Sequence, residues 1–243
     1  MKKYEVLLFD LHDTLIDNKE NMKHAFKALL NAMNEEYTEE KNNRFNQIDH
    51  RFWNDWKNEL IIIPDEYKAP REKMVRWATA QRFLIYFENT ISLEEAYRLN
   101  EIYIKALVAQ VVPLKAACEI IKYLNKKYRL FIATNGPLEI ARIKIKMLGI
   151  DDCFENVFAA EEFGYLKPHQ EYYNQLTDRI NYFDITKILM IGNSLASDII
   201  GANRIGMDSI WLDLGEENVG KIKDETPSPT YTIKKLIELK KIL

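Results

Sequence analysis

The chain has 243 residues, 47% of them hydrophobic and 29% charged, with a formal net charge of −3. That composition supports a sizeable core, as one large domain or a core with a smaller partner. The mild charge, with Lys and Arg scattered among Glu and Asp, argues against a nucleic-acid or acidic-membrane partner.

Met1-Lys2-Lys3-Tyr4 leads into an apolar run of four residues, Val6-Leu7-Leu8-Phe9, which ends at Asp10. The run is too short for a signal-peptide core or a membrane span, and no later run reaches a span's length. A soluble, cytoplasmic protein is expected. Val6–Phe9 reads instead as a buried strand of a parallel sheet. Further buried strands are expected at Leu130–Thr134, Val157–Ala159, Ile188–Ile191 and Ser209–Leu212, with helical patterns between them. Strands alternating with helices predict an α/β fold with a doubly wound parallel sheet. The gap between the first two strands far exceeds one crossover helix. It predicts an inserted all-helical domain over residues 18–112, with 1–17 and 113–243 forming the core.

Within the insert, Met22, Phe26, Leu29, Leu30 and Met33 recur at helical spacing, as do Phe45, Ile48, Phe52, Trp56 and Leu60. Pro64 and Pro70 bracket a break. A third pattern runs through Met74, Val75, Ala78, Leu84 and Ile85. Ser92-Leu93-Glu94-Glu95 has the form of a capping box before a fourth. Trp53, Trp56, Trp77, Phe83, Tyr86 and Phe87 make the insert aromatic. Such a stripe is read as core, with stacking of one or two rings on a substrate as the alternative. Arg44 and Arg51 read as a solvated helix face, with an anion contact as the alternative. After the insert, Pro113 is expected to open a helix, and Gly149 to stop another that begins at Leu138. Tyr231–Ile233 reads as a short edge strand before a last helix reaching Leu243. Cys118 and Cys153 form no CxxC pair, and two buried thiols are expected.

Four strand-end stretches carry chemistry. Asp10 stands where a rigid strand meets a loop, the usual place for function in an open α/β sheet. Thr134-Asn135-Gly136 ends the second strand, with a hydroxyl and an amide suited to an anion's oxygens. Lys167-Pro168 follows the third. Ile191-Gly192-Asn193-Ser194-Leu195-Ala196-Ser197-Asp198 ends the fourth and opens a helix, a place suited to anions and metal-linked carboxylates. Each alone is unspecific.

In this order, Asp10-Leu11-His12-Asp13-Thr14, Thr134, Lys167, and Asn193 with Asp198 resemble the haloacid dehalogenase superfamily over essentially the whole chain. Thr134-Asn135-Gly136, Glu162 to Pro168, Gly192 to Asp198 and Tyr231-Thr232-Ile233 are similar to its pyrimidine-nucleotidase branch. The resemblance implies a Rossmann-like core whose insert is a helical cap. It implies a phosphomonoesterase for small phosphate esters, a nucleotide among them, with Asp10 as the nucleophile. It implies Thr134, Asn135 and Lys167 at the phosphoryl oxygens, and Mg²⁺ held by Asp10, the carbonyl of His12, Asn193 and, through water, Asp198.

Two positions depart from the family pattern. His12 stands where an Asp usually protonates the leaving oxygen, and Asn193 where an Asp usually binds metal. The metal site loses formal charge at both. An imidazole with a reference pKa of about 6.5 could still exchange protons near neutrality. Both departures also resemble metal-independent 2-haloacid dehalogenases, whose Asp attacks carbon; a binding module on the same fold is the third reading.

Overall fold

The computed structural model describes residues 4–57, 60–182, 184–215 and 225–243; residues 1–3, read above as the approach to the first strand, lie outside these. Six strands among the described residues are β1 (Val6–Phe9), β2 (Arg129–Thr134), β3 (Asn156–Ala159), β4 (Ile188–Gly192), β5 (Asp208–Leu212) and β6 (Tyr231–Ile233). They form one sheet in the order β3-β2-β1-β4-β5-β6, with every pairing parallel. None departs from its expected bounds by more than one residue. The helices are α1 (Asn18–Ala32), α2 (Glu39–Lys57), α3 (Arg71–Tyr86), α4 (Leu93–Ala109), α5 (Ala117–Leu124), α6 (Leu138–Met147), α7 (Ala160–Phe163), α8 (Gln170–Ile180), α9 (Ile200–Arg204) and α10 (Leu239–Ile242). No helix among the described residues is long and apolar enough to cross a membrane.

The unbroken apolar strands are explained by burial on both faces. Alternation sends Leu7, Phe9, Leu130, Ile132, Leu189 and Ile191 into one core with Ile120 and Leu124 of α5 and Ile145 of α6. It sends Val6, Leu8, Phe131, Ile188 and Met190 into a second, with Tyr172, Tyr173 and Leu176 of α8. β1 lies between β2 and β4, so the residue that follows it is held from both sides. The Asp10 amide donates to the Ile191 carbonyl at 2.9 Å.

The chain divides into two compact units, residues 1–18 with 111–243, and residues 19–110. Among its described residues the second holds helices and no strand. Its centre is aromatic: Phe26 stacks on Phe45 at 4.7 Å between centroids and Phe45 on Phe83 at 5.6 Å, with Tyr86 and Tyr103 against them. Phe83 and Tyr86 are buried, as the core reading expects, while Trp53, Trp56, Trp77 and Phe87 are half-buried. Arg82 is also buried. Its guanidinium pairs with Asp49 of α2, donates to Asn100 of α4 at 3.1 Å, and lies over Trp53, Phe83 and Tyr103. Ser92 caps α4, its hydroxyl accepting from the Glu95 amide at 3.1 Å. Arg44 and Arg51 make exposed ion pairs with Glu88 and Asp55.

Three expectations are corrected. Pro113 does not open a helix: it forms a bridge with Ile16, and the Leu114 amide donates to the Leu15 carbonyl at 2.9 Å. Those backbone bonds draw the returning chain against residues 15–17, and α5 starts only at Ala117, after Ala116 at φ 67°. The helix expected to reach Leu243 is a 3₁₀ turn over Leu236–Glu238 followed by the short α10. Both cysteines are half-buried rather than buried, and both are free thiols. Gly149 adopts φ 62° one residue past the Leu148 cap of α6, the left-handed geometry that a helix stop favours.

Candidate active site

The strand ends bring Asp10, Thr134, Lys167, Asn193 and Asp198 into one cluster. Lys167 is its hub. Its ammonium donates to Asp10 Oδ1, Asp198 Oδ1 and the Ala133 carbonyl, each at 2.7 Å. An ammonium has three N–H groups, and all three are committed, so Lys167 acts on the site through its charge. Burial alone would lower the Lys167 pKa, but the facing carboxylates of Asp10 and Asp198 outweigh it and hold it above the ordinary lysine value. Burial pushes the Asp198 carboxyl up to about 6, with Lys167 opposing that rise.

Asp198 is fully buried. Its second oxygen accepts from the Ser194 amide at 3.1 Å, and its carboxylate lies directly over Gly192. A Cβ at residue 192 would come within 2.2 Å of that carboxylate, so only glycine leaves it room. Asp198 therefore faces Lys167.

Thr14 ties the first loop to the fourth. Its hydroxyl lies 3.0 Å from Asp10 Oδ2 and 3.2 Å from Asn193 Oδ1, and it accepts from the Asn193 amide at 3.1 Å. Asn193 is held further by Trp211, whose indole N–H donates to its carbonyl at 2.9 Å. Asp10 Oδ2 and Asn193 Oδ1 thus both face the Thr14 hydroxyl. Together with the His12 carbonyl that the resemblance implies, the donor set would be all oxygen. That chemistry fits a small hard cation in kind, with Asp10 as the one carboxylate among the three.

Asn135, expected at the substrate, uses its side chain on the chain itself. Its Oδ1 accepts from the Lys167 amide at 2.8 Å and its Nδ2 donates to the Lys167 carbonyl at 3.2 Å. It sets where the lysine's backbone lies. Thr134 is buried, and its hydroxyl oxygen accepts from the Gly136 amide at 3.0 Å. Among the described residues that hydroxyl donates to no acceptor, which leaves its O–H for an anion's oxygen.

His12 has a partner that the sequence reading did not identify. Lys144, on α6, is fully buried, and its Nζ lies 3.0 Å from His12 Nε2. Burial, then the Lys144 and Lys167 charges, hold the imidazole well below its usual pKa, so it is neutral near pH 7. Burial also brings the Lys144 ammonium down to about 8, with Asp13 opposing. A signal for Lys144 existed: it falls between Ala141 and Ile145 on the apolar face of its helix, where a lysine is out of place.

This strand-end geometry agrees with the wider comparison. The haloacid dehalogenase-like hydrolase family matches residues 4–206, and the chain belongs to that family of hydrolases, an α/β core with an inserted helical cap domain. Over 247 residues it is 29% identical to YfnB of Bacillus subtilis (strain 168), covering 100% of this chain and 97% of that protein. A crystal structure of YfnB bound to magnesium superposes with a TM-score of 0.82 at 27% identity, covering 100% of this chain and 99% of that one. The pyrimidine 5'-nucleotidase YjjG of Escherichia coli (strain K12) is 23% identical over 99% of this chain and 98% of its own. The pyrimidine 5'-nucleotidase PynA of Streptococcus pneumoniae (strain ATCC BAA-255 / R6) is 27% identical over 95% and 91%.

Proposed function

We propose that this hydrolase is a phosphomonoesterase for small phosphate esters, working through a phosphoryl group carried transiently on Asp10. The observation that carries the reading is Lys167 Nζ held 2.7 Å from both Asp10 and Asp198. Its charge offsets repulsion between the Asp10 carboxylate and an approaching dianion. Asp10 attacks phosphorus, the bond to the leaving oxygen breaks, and that oxygen takes a proton from solvent. Water then attacks the same phosphorus, its bond to the Asp10 oxygen breaks, and the water's proton goes to solvent, releasing inorganic phosphate and restoring the carboxylate. Thr134 donates its hydroxyl to a phosphoryl oxygen throughout. Residues 1–17 and 113–243 are the catalytic core in this reading and 18–112 its cap, consistent with the two compact units.

Mg²⁺ belongs to the same reading. The magnesium in the YfnB structure supports it, and Asp10 Oδ2, the His12 carbonyl and Asn193 Oδ1 would hold it, with Asp198 behind them. When bound, it neutralises charge on the phosphoryl oxygens. A nucleotide substrate is the finer form of the proposal, supported by the likeness to YjjG and PynA.

A second reading has a specific observation in its favour: residues 12 and 193 are not carboxylates. It makes Asp10 attack carbon in a 2-haloacid without metal. Assays of the wild type and Asp10→Asn against nucleoside monophosphates, phenyl phosphate and 2-haloacids, with and without Mg²⁺, separate the two. Mg²⁺-dependent phosphate release lost in Asp10→Asn is the expected result. Halide release without metal would replace it with the second reading. Inactivity of the wild type on both panels would favour a binding role.

A further inference from the structure

The machinery described so far gives Lys144 no task, yet it is a lysine with no exposed surface on the apolar side of α6. Burying an ammonium is costly unless it is hydrogen-bonded. Its Nζ lies 3.0 Å from His12 Nε2. An ammonium can only donate, so Nε2 must accept, and in a neutral imidazole the proton then resides on Nδ1.

The neighbouring edge of the ring, Cε1–Nδ1, lies close to Gly136. An added Cβ at Gly136 would lie 2.9 Å from His12 Cε1, 3.5 Å from Nδ1 and 3.4 Å from the Thr134 hydroxyl. The Cε1–Nδ1 edge therefore lies beside the turn that follows Thr134. Lys144 presses on one edge of the ring, and the bare Gly136 backbone leaves space at the other.

We propose that Lys144 is a positioning residue that locks His12 in the Nδ1–H form and turns that N–H toward the phosphoryl position beside Thr134. His12 is then a fixed hydrogen-bond donor to an oxygen of the reacting ester, in the place where a carboxylic acid would otherwise stand. This rests on the phosphomonoesterase reading for its catalytic consequence, and on the 3.0 Å contact with a charged Lys144 for the tautomer.

The test is nitrogen NMR of the ring in ¹⁵N-histidine-labelled, substrate-free protein, with His12 assigned by the signal lost in His12→Gln. The wild type is expected to show His12 as one tautomer, protonated at Nδ1 and bare at Nε2. Protonation at Nε2 overturns the proposal, and this arm needs no altered protein to fold. In Lys144→Met the single tautomer should give way to a mixture. On phenyl phosphate, kcat should fall about tenfold or more with KM within about twofold, as loss of a contact made only in the transition state requires. Lys144→Arg, which keeps a donor, should restore part of kcat. An unchanged tautomer in Lys144→Met, or a change confined to KM, contradicts the proposal. If wild-type protein releases no phosphate, the phosphomonoesterase reading falls, while the spectrum still decides the tautomer.

Discussion

Lys167 carries a charge into a place where burial opposes it, and only its carboxylate partners keep it there. Lys167→Met would leave Asp10 and Asp198 facing each other without a cation. Removing one partner from a buried ion pair costs about 3–5 kcal/mol, so urea unfolding should show a loss of that order along with loss of turnover. A variant as stable as the wild type would contradict the buried triad. Lys144 bears on pH. Its folded pKa, about 8, lies below the ordinary lysine value of about 10.4. Between those values the unfolded chain binds more protons than the folded one, so this group makes stability rise with pH from about 8 to about 10. Lys144→Met should flatten that rise in unfolding measurements; an equally steep rise in the variant would remove Lys144 as its source. At this scale the sequence was partly legible. Asp10, Thr134 and Asn193 at or just past strand ends, with Lys167 and Asp198 in the loop and turn that follow β3 and β4, could be found from their order and the resemblance it carries. Asn135 could be found but not its role, because a side chain that clamps another residue's backbone looks the same in sequence as one that meets a ligand.

Among the elements of the insert, α2, α3 and α4 are joined by one buried polar clip. Arg82 on α3 pairs with Asp49 on α2 and donates to Asn100 on α4. Asp49→Leu alone strands the guanidinium and should cost about 3–5 kcal/mol. Asp49→Leu combined with Arg82→Met should recover most of that loss, a non-additivity that a double-mutant cycle in urea reads directly. Additive losses would show that the pair is not coupled. The sequence disclosed these helices through their apolar spacing, yet not the clip, since a lone arginine or aspartate on a helix is usually solvated. Pro113 failed for a related reason: its fixed φ suits a helix start, but pairing with residues 15–17 takes it into a bridge.

Across the whole molecule, the fold was legible because the central strands β1, β2 and β4 are buried along nearly their whole length, which writes apolar runs that stop at a loop. The chemistry is less legible because residues 12 and 193 are not the carboxylates that the resembled pattern carries there. Restoring carboxylates with His12→Asp and Asn193→Asp together should tighten Mg²⁺ binding by about tenfold or more, ~1.4 kcal/mol, in calorimetric titration. The two changes should be non-additive, because both add charge to one cluster. Unchanged Mg²⁺ affinity in the double variant would remove the metal from the account.

The central claim is that Asp10 becomes phosphorylated, and a single turnover tests it most directly. Enzyme in excess over phenyl phosphate is quenched in acid within the first turnover, digested, and mapped by mass spectrometry. A phosphoryl group on the peptide containing Asp10, absent from Asp10→Asn, is the expected result. Phosphate released within the turnover while that peptide stays unmodified at every quench time would contradict it.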